Sequence, residues 1–160
     1  MKATGIVRRI DDLGRIVIPK EIRRTLHIRE SDPLEIFTDR EGQVILKKYS
    51  PIGEMTTFAK QYAESLAQVS GHATLIADRD QFIAVSGGCK QLLNKSVSRQ
   101  LEEKVNNRET VIAAKGDRNY VNIAEDIAVD YAWQLITPII CEGDVIGSVI
   151  LLENDGKSKM

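Results

Sequence analysis

The N-terminal end of the chain concentrates side chains that bind phosphate. Within residues 4–26, five arginines and one lysine alternate with short apolar runs. They are Arg8, Arg9, Arg15, Lys20, Arg23 and Arg24. A guanidinium is a planar fork of donors that matches two phosphate oxygens or the O6 and N7 atoms of guanine. Held on rigid elements, such groups suit the backbone and the base edges of a DNA duplex.

A short helix is predicted to carry half of these cations. Pro19 suits the first turn of a helix, because the amide hydrogen that it lacks would have no partner there. We predict a helix over residues 20–26, in which Ile22 and Leu26 lie on one apolar face at a spacing of four. The opposite face then carries the basic side chains Lys20, Arg23 and Arg24.

Two β-like segments, Ile6–Ile10 and Arg15–Ile18, precede the helix and flank a turn at residues 11–14. Gly14 suits this turn, because glycine adopts a positive φ without steric strain. Asp11 and Asp12 resemble the paired carboxylates of a catalytic site, but they lie in a turn beside arginines. We therefore expect them to orient an arginine through a salt bridge, the candidates being Arg8, Arg9 and Arg15.

This stretch resembles the AbrB-type DNA-binding domain of bacterial transition-state regulators. The likeness is carried by residues 4–26, by IRESDPLEIF at 28–37 and by VILKKYSP at 44–51. The resemblance implies a swapped-hairpin β-barrel, in which two chains exchange hairpins to form an obligate homodimer. It also implies contacts to double-stranded DNA from Arg8, Arg15, Arg23 and Arg24. We expect additional phosphate contacts from Lys2, Arg9 and Lys20.

Residues 28–50 complete a small N-terminal domain. Leu34–Thr38 and Val44–Tyr49 are strand-like and are joined by a polar hairpin connection at 39–43. A domain of about fifty residues buries too little surface to fold alone without additional stabilisation, such as a bound metal or a disulfide. This stretch offers neither a metal site nor a disulfide. A second copy is the expected supplement. Ser50–Pro51 then marks a boundary, which gives domains at 1–50 and 51–160.

The pattern beyond residue 51 indicates a second, α+β domain. Apolar residues recur at spacings of three and four over 52–69, which predicts an amphipathic helix. A hairpin is predicted over 73–86, with strands at 73–77 and 81–86. A helix is predicted over 96–105 with Ser98 as its N-cap, and a closing hairpin over 131–153. The stretch 108–130 has no clear periodicity.

This order of elements is similar to that of sporulation regulators in which a GAF-like domain follows an AbrB-type domain. The resemblance implies a sensing or oligomerising role for the second domain and a tetramer built through it. In that family a final helix follows the last hairpin, whereas this sequence ends in the polar stretch 154–160. The sequence leaves open whether that helix is naturally absent or truncated, and whether the molecule is a dimer or a tetramer. It indicates no cofactor and identifies no small-molecule ligand of the GAF-like domain.

Charge is unevenly divided along the chain. The net charge is −1, yet residues 1–29 carry eight Lys or Arg against three Asp or Glu, and residues 51–160 carry eleven against fifteen. Because residues 1–29 are basic and residues 51–160 are acidic, we expect a polyanionic partner for the N-terminal residues alone. The first 42 residues contain no Asn or Gln, the usual bidentate readers of adenine. We therefore expect readout of deformable, A·T-rich promoter DNA rather than a strict base consensus.

Other functional classes find little support in the composition. Cys89 and Cys141 lie far apart, and with two histidines in total no zinc site is predicted. The sequence shows neither a signal peptide nor an apolar run of roughly 20 residues. We therefore expect a cytoplasmic, nucleoid-associated protein that has no membrane partner. The chain also lacks the common hydrolase, metalloprotease and nucleotide-binding motifs, and we predict that it is not an enzyme.

The sequence therefore predicts a DNA-binding transcriptional regulator of sporulation genes. The alternative is an antitoxin, a class that shares the swapped-hairpin head but usually ends in a disordered, toxin-wrapping tail. In the second domain, we expect Cys89 to be a buried or unreactive thiol rather than a redox switch. Tyr131 and Trp133 are expected to fill the core rather than line a ligand cavity.

Overall fold

The computed structural model describes residues 3–153, and the chain divides into two compact units, Met1–Tyr49 and Ser50–Met160. We call them the N-terminal and the C-terminal unit. The N-terminal unit contains one short helix, α1 (Lys20–Thr25), and two strands, β1 (Leu34–Thr38) and β2 (Val44–Lys48). Lys2, one of the expected phosphate contacts, lies outside the described residues.

The predicted helix and hairpin of the N-terminal unit are confirmed. Pro19 precedes α1 with φ −56°, and its carbonyl accepts from the Arg23 N–H at 3.0 Å. β1 and β2 pair antiparallel, from Thr38 opposite Val44 back to Leu34 opposite Lys48. The connection between them is closed by the Asp39 carboxylate, which accepts from the Glu41 and Gln43 amides at 2.9 Å.

The two predicted strands at 6–10 and 15–18 are wrong for the single chain. Neither segment is a strand, and around the turn the Asp11 N–H donates to the Arg15 carbonyl at 3.0 Å. A strand needs a neighbour that supplies hydrogen bonds along its length. Within residues 3–49 the single chain supplies none to these segments beyond the turn.

The N-terminal unit has almost no core of its own. Among residues 3–49, Pro19 alone is buried. Large apolar side chains lie open instead, with Val7 86%, Leu13 70%, Val17 70% and Val44 69% exposed. Since burial of apolar surface is the main favourable term in folding, this unit is not stable as an isolated single chain.

The C-terminal unit is built on a five-stranded antiparallel sheet with the order β4-β3-β7-β6-β5. In chain order its elements are α2 (Thr56–Ser70), β3 (Ala73–Ala77), β4 (Phe82–Ser86), α3 (Arg99–Asn106), β5 (Val111–Ala114), β6 (Trp133–Cys141) and β7 (Asp144–Glu153). The fold of this unit is mixed α and β, as predicted.

Both faces of the sheet carry buried apolar residues. One cluster includes Ala59 and Ala63 of α2 with Ile76 of β3. The larger cluster, which includes Leu101 of α3 and Phe82, lies on the other face. The unit is therefore folded by its own core, in contrast to the N-terminal unit.

Most predicted elements of the C-terminal unit are confirmed. α2 is followed by Gly71, whose φ of 75° is the left-handed conformation typical of a residue that ends a helix. A 3-10 turn at Gly53–Met55 precedes α2. Ser98 caps α3 and accepts from the Leu101 amide at 3.0 Å. The sequence missed β5, which lies within the unassigned stretch. None of the helices in residues 3–153 is long and apolar enough to cross a membrane.

Candidate nucleic-acid interface

All the predicted DNA-contacting cations that the structure describes are exposed. They are Arg8, Arg9, Arg15, Lys20, Arg23 and Arg24. α1 brings the last three together on six residues, and the turn at 11–14 places Arg15 directly after it. Arg8 and Arg9 lie in the segment before that turn.

One carboxylate organises the turn and fixes Arg15. Asp11 Oδ1 accepts from the Leu13 and Arg15 amides at 3.0 and 2.8 Å, while Oδ2 accepts from Arg15 Nε at 2.7 Å. The backbone N–H of Arg15, and then its guanidinium, lower the pKa of the Asp11 carboxyl below its ordinary value. Gly14 closes the turn with φ 74°. Asp11 holds Arg15 through Nε of the guanidinium.

Within residues 3–153, the arginines of α1 have no acidic partner. Arg23 Nε donates to the Ile18 carbonyl at 3.2 Å, which ties its stem to the segment before the helix. Among the six cations, and within residues 3–153, Arg15 alone forms an ion pair. The positive charge of this surface is therefore largely uncompensated inside the chain and is available to an external anion.

Lys48 is a positioning residue that the sequence reasoning missed. Its Nζ donates to the His27 carbonyl at 2.9 Å, just beyond the end of α1, and so links the basic helix to β2. Lysine side chains commonly satisfy the unpaired carbonyls at a helix C-terminus. No local pattern in the sequence indicates this contact, because Lys48 lies 21 residues beyond His27.

The aromatic and thiol groups of the C-terminal unit form a structural network. Cys89 Sγ contacts Tyr131 Oη, and burial raises the pKa of both groups. Tyr120 Oη donates to the Tyr131 carbonyl at 3.0 Å and accepts from the Tyr131 amide at 3.2 Å. Trp133 is half-buried, with its ring 6.1 Å from that of His72. Tyr131 packs against the larger core, as the sequence predicted.

Family models match both units of the chain. The stage V sporulation protein T C-terminal, transcription factor family matches residues 54–160. The antidote-toxin recognition MazE, bacterial antitoxin family matches residues 7–54. A basic N-terminal unit with almost no core of its own, followed by a unit that matches a transcription-factor family, indicates a transcription regulator.

Individual relatives narrow this class. The chain is 56% identical to stage V sporulation protein T of Bacillus subtilis strain 168 over 156 residues, which cover 97% of this chain and 86% of the relative. It is 43% identical to the transition state regulatory protein AbrB of the same strain over 108 residues, covering 68% of this chain and 93% of the relative. The protein therefore belongs to the stage V sporulation protein T family and is a sporulation-related transcription regulator.

A solved structure also matches the N-terminal part of the chain. The solution structure of the N-domain of the transcription factor AbrB is 65% identical, covers 32% of this chain and 96% of that domain, and has a TM-score of 0.30.

Proposed function

We propose that this protein regulates sporulation genes by binding promoter DNA through the arginines of its N-terminal unit. One observation carries the proposal: six exposed cations lie within 17 residues of chain, and five of them lack an acidic partner among the described residues. Phosphate neutralisation with counterion release supplies most of the affinity in such interfaces. The AbrB-type motif of this stretch supports duplex DNA as the anion.

The individual cations have different roles in this proposal. Arg8, Arg15, Arg23 and Arg24 contact the duplex as planar forks, on phosphate or on guanine edges. Arg15 is the best prepared of them, because Asp11 fixes its Nε and less side-chain entropy is lost on binding. Arg9, Lys20 and Lys2 add phosphate contacts. The lack of Asn and Gln before residue 43 favours A·T-rich, deformable promoter DNA over a strict consensus.

The DNA-binding form is an obligate homodimer through the N-terminal unit. The segments 6–10 and 15–18 expose apolar side chains and lack strand partners in the single chain, with Val7 86% and Ile10 69% exposed. A second copy that pairs with both segments covers these side chains and completes their hydrogen bonds, as in a swapped-hairpin barrel. Folding of this unit and dimerisation then form one equilibrium.

The C-terminal unit acts in ligand sensing and oligomerisation in this proposal. Its antiparallel sheet with helices supports a GAF-like domain, a class that often binds small molecules. α2 exposes an apolar stripe at helical spacing, with Phe58 55%, Tyr62 59% and Val69 89% exposed. Such a stripe supports association of this unit into a tetramer.

An antitoxin is the second candidate, because the MazE-type family matches residues 7–54. In that class the C-terminal segment is usually disordered until it wraps a toxin. Here the C-terminal unit has buried clusters on both faces of its sheet. This folded unit favours the transcriptional regulator, and resistance of residues 50–153 to limited proteolysis would separate the two.

Fluorescence anisotropy with the full chain tests the proposal. We expect tighter binding to an A·T-rich sporulation promoter duplex than to a G·C-rich duplex of equal length. Light scattering of the same sample should give a dimer or a tetramer. Absence of binding to either duplex contradicts the proposed function, equal affinity contradicts shape readout, and a monomer contradicts the interlaced dimer.

A further inference from the structure

The chain enters the C-terminal unit through a segment that is fixed rather than free. The sequence places a domain boundary at Ser50–Pro51, where a solvated linker would be usual. Instead Ser50 is half-buried, and its hydroxyl donates to Asp78 Oδ2 at 3.1 Å. The same hydroxyl accepts from the Gly53 amide at 2.9 Å. One small side chain therefore connects the start of the unit to its sheet.

Asp78 is built to hold this contact. It is 8% exposed and follows β3 directly. Its Oδ1 accepts from the Asp80 and Gln81 amides, both at 2.8 Å, while Oδ2 accepts from Ser50. A buried carboxylate needs such donors to offset the loss of water. The shape of the β3–β4 turn and the position of Ser50 are thus set by the two oxygens of one group.

Close packing around the segment supports the same conclusion. Ile52 is buried in the cluster beneath α2. A Cβ on Gly147 of β7 would lie 2.8 Å from Ile52 Cδ1 and 2.2 Å from the Ala77 carbonyl oxygen. A Cβ on Gly53 would lie 2.8 Å from Ser50 Oγ. Neither glycine has a positive φ, so the lack of room for a Cβ atom explains why glycine occupies each position.

Asp78 also faces a second element of the unit. With Arg79 and Ser148 it lines a small cleft whose other wall is formed by Leu101 and Val105 of α3. Asp78 therefore links this cleft to Ser50 through a single hydrogen bond. Tyr49 is the one residue between Ser50 and Lys48, where β2 ends.

We propose that the Ser50–Asp78 hydrogen bond is a conformational latch through which the state of the C-terminal unit sets DNA affinity. With the latch closed, the connection between β2 and the C-terminal sheet is one residue long. With the latch open, residues 49–51, before the buried Ile52, become a longer and more flexible connection that must be ordered again when several units engage one duplex, which weakens binding. This inference rests on the proposed DNA-binding function.

Two variants open the latch by different means. Ser50→Ala removes the bridging hydroxyl, and Gly53→Ala places a methyl group against it. Ser70→Ala is the matched control, because Ser70 Oγ also accepts a backbone amide, that of His72 at 3.2 Å, but lies at the far end of α2. Thermal unfolding of each variant verifies that the C-terminal unit remains folded.

Residue-resolved hydrogen exchange in the full chain reports the latch without DNA. In Ser50→Ala we expect the Gly53 amide to exchange roughly five to ten times faster, the effect of one lost hydrogen bond. The Glu54 amide donates to the Ser50 carbonyl at 3.2 Å, so in Gly53→Ala it should exchange faster as Ser50 is displaced, although alanine alone favours a helix. The double variant should add little to either single one. Unchanged exchange in both single variants overturns the latch.

DNA affinity of the same variants reports the coupling. On a long promoter duplex, Ser50→Ala and Gly53→Ala should bind roughly three to ten times more weakly than the parent, while Ser70→Ala binds like it. Faster exchange with unchanged affinity overturns the proposed control of DNA binding. Failure of the parent itself to bind DNA refutes the proposed function and its coupling, whereas the exchange measurement still decides whether the segment is latched.

Discussion

Removal of the two arginines of α1 gives a quantitative test of the basic surface. Arg8, Arg15, Arg23 and Arg24 amount to eight guanidinium groups in the proposed dimer. Each neutralised phosphate contributes about −0.9 to the slope of log affinity against log salt, so these eight groups contribute up to about −7, the limit in which all contact phosphate. Arg23→Ala with Arg24→Ala removes four of them and should make the slope less steep by up to about 3.6.

Anisotropy titrations between 50 and 200 mM KCl resolve this difference. Over that range the double variant should lose up to about two decades less affinity than the parent. Arg40→Ala with Lys47→Ala is the control, since it removes the same charge from the exposed β1–β2 hairpin of the same unit. The control should retain nearly the parent slope.

Two further measurements separate lost DNA contacts from a changed oligomeric state, and charge from the planar shape of the guanidinium. Arg23→Ala also removes the bond from Nε to the Ile18 carbonyl, so light scattering must show that the variant keeps its oligomeric state. The charge-conserving Arg23→Lys with Arg24→Lys should keep the slope but lose discrimination between sequences, because lysine lacks the planar fork. A parent-like slope and affinity in the double alanine variant would refute the role of α1 in DNA contact.

Two predictions concern perturbed titratable groups. The Asp11 carboxyl should titrate below 3.8 in an NMR experiment, because Arg15 stabilises its charged form. Since its pKa is lower in the folded state, the stabilisation is present at neutral pH and is lost as the pH falls through that lowered value. Arg15→Gln should return the midpoint only part of the way, because the backbone bond remains. In the second prediction, burial raises the pKa of the Cys89 thiol, so a thiol reagent should modify exposed Cys141 first, and Cys89→Ser should abolish only the slow phase.

Local signals in the sequence were sufficient for elements whose stabilising contacts lie within a few residues. Three helix boundaries are set by residues at the boundary itself. Pro19 precedes α1, and Ser98 caps the first turn of α3. Gly71 ends α2 by adopting a left-handed conformation. The strand-like runs over 34–38 and 73–77, each followed by a polar turn, likewise indicated strands that pair with the next strand along the chain. The basic face of α1 followed directly from its helical period.

Elements with distant partners were harder to predict. β5 is four residues long, and it pairs with β6 beyond the irregular stretch 115–132. Its β-branched run at 110–112 was the available signal, but a run this short does not separate a strand from a loop. The Lys48 and Ser50 contacts, to His27 and Asp78, span 21 and 28 residues, so no local spacing indicates them.

The segments 6–10 and 15–18 represent a different kind of error. Their β-branched residues are typical of strands, yet the single chain leaves them unpaired with Val7 and Val17 exposed. The pattern encodes contacts that one copy cannot make with itself. The same residues separate the arginines, so the exposed apolar side chains and the cations belong to one stretch. In the proposed obligate dimer, DNA affinity therefore falls when the protein is diluted below the dimer dissociation constant, even though no arginine has changed.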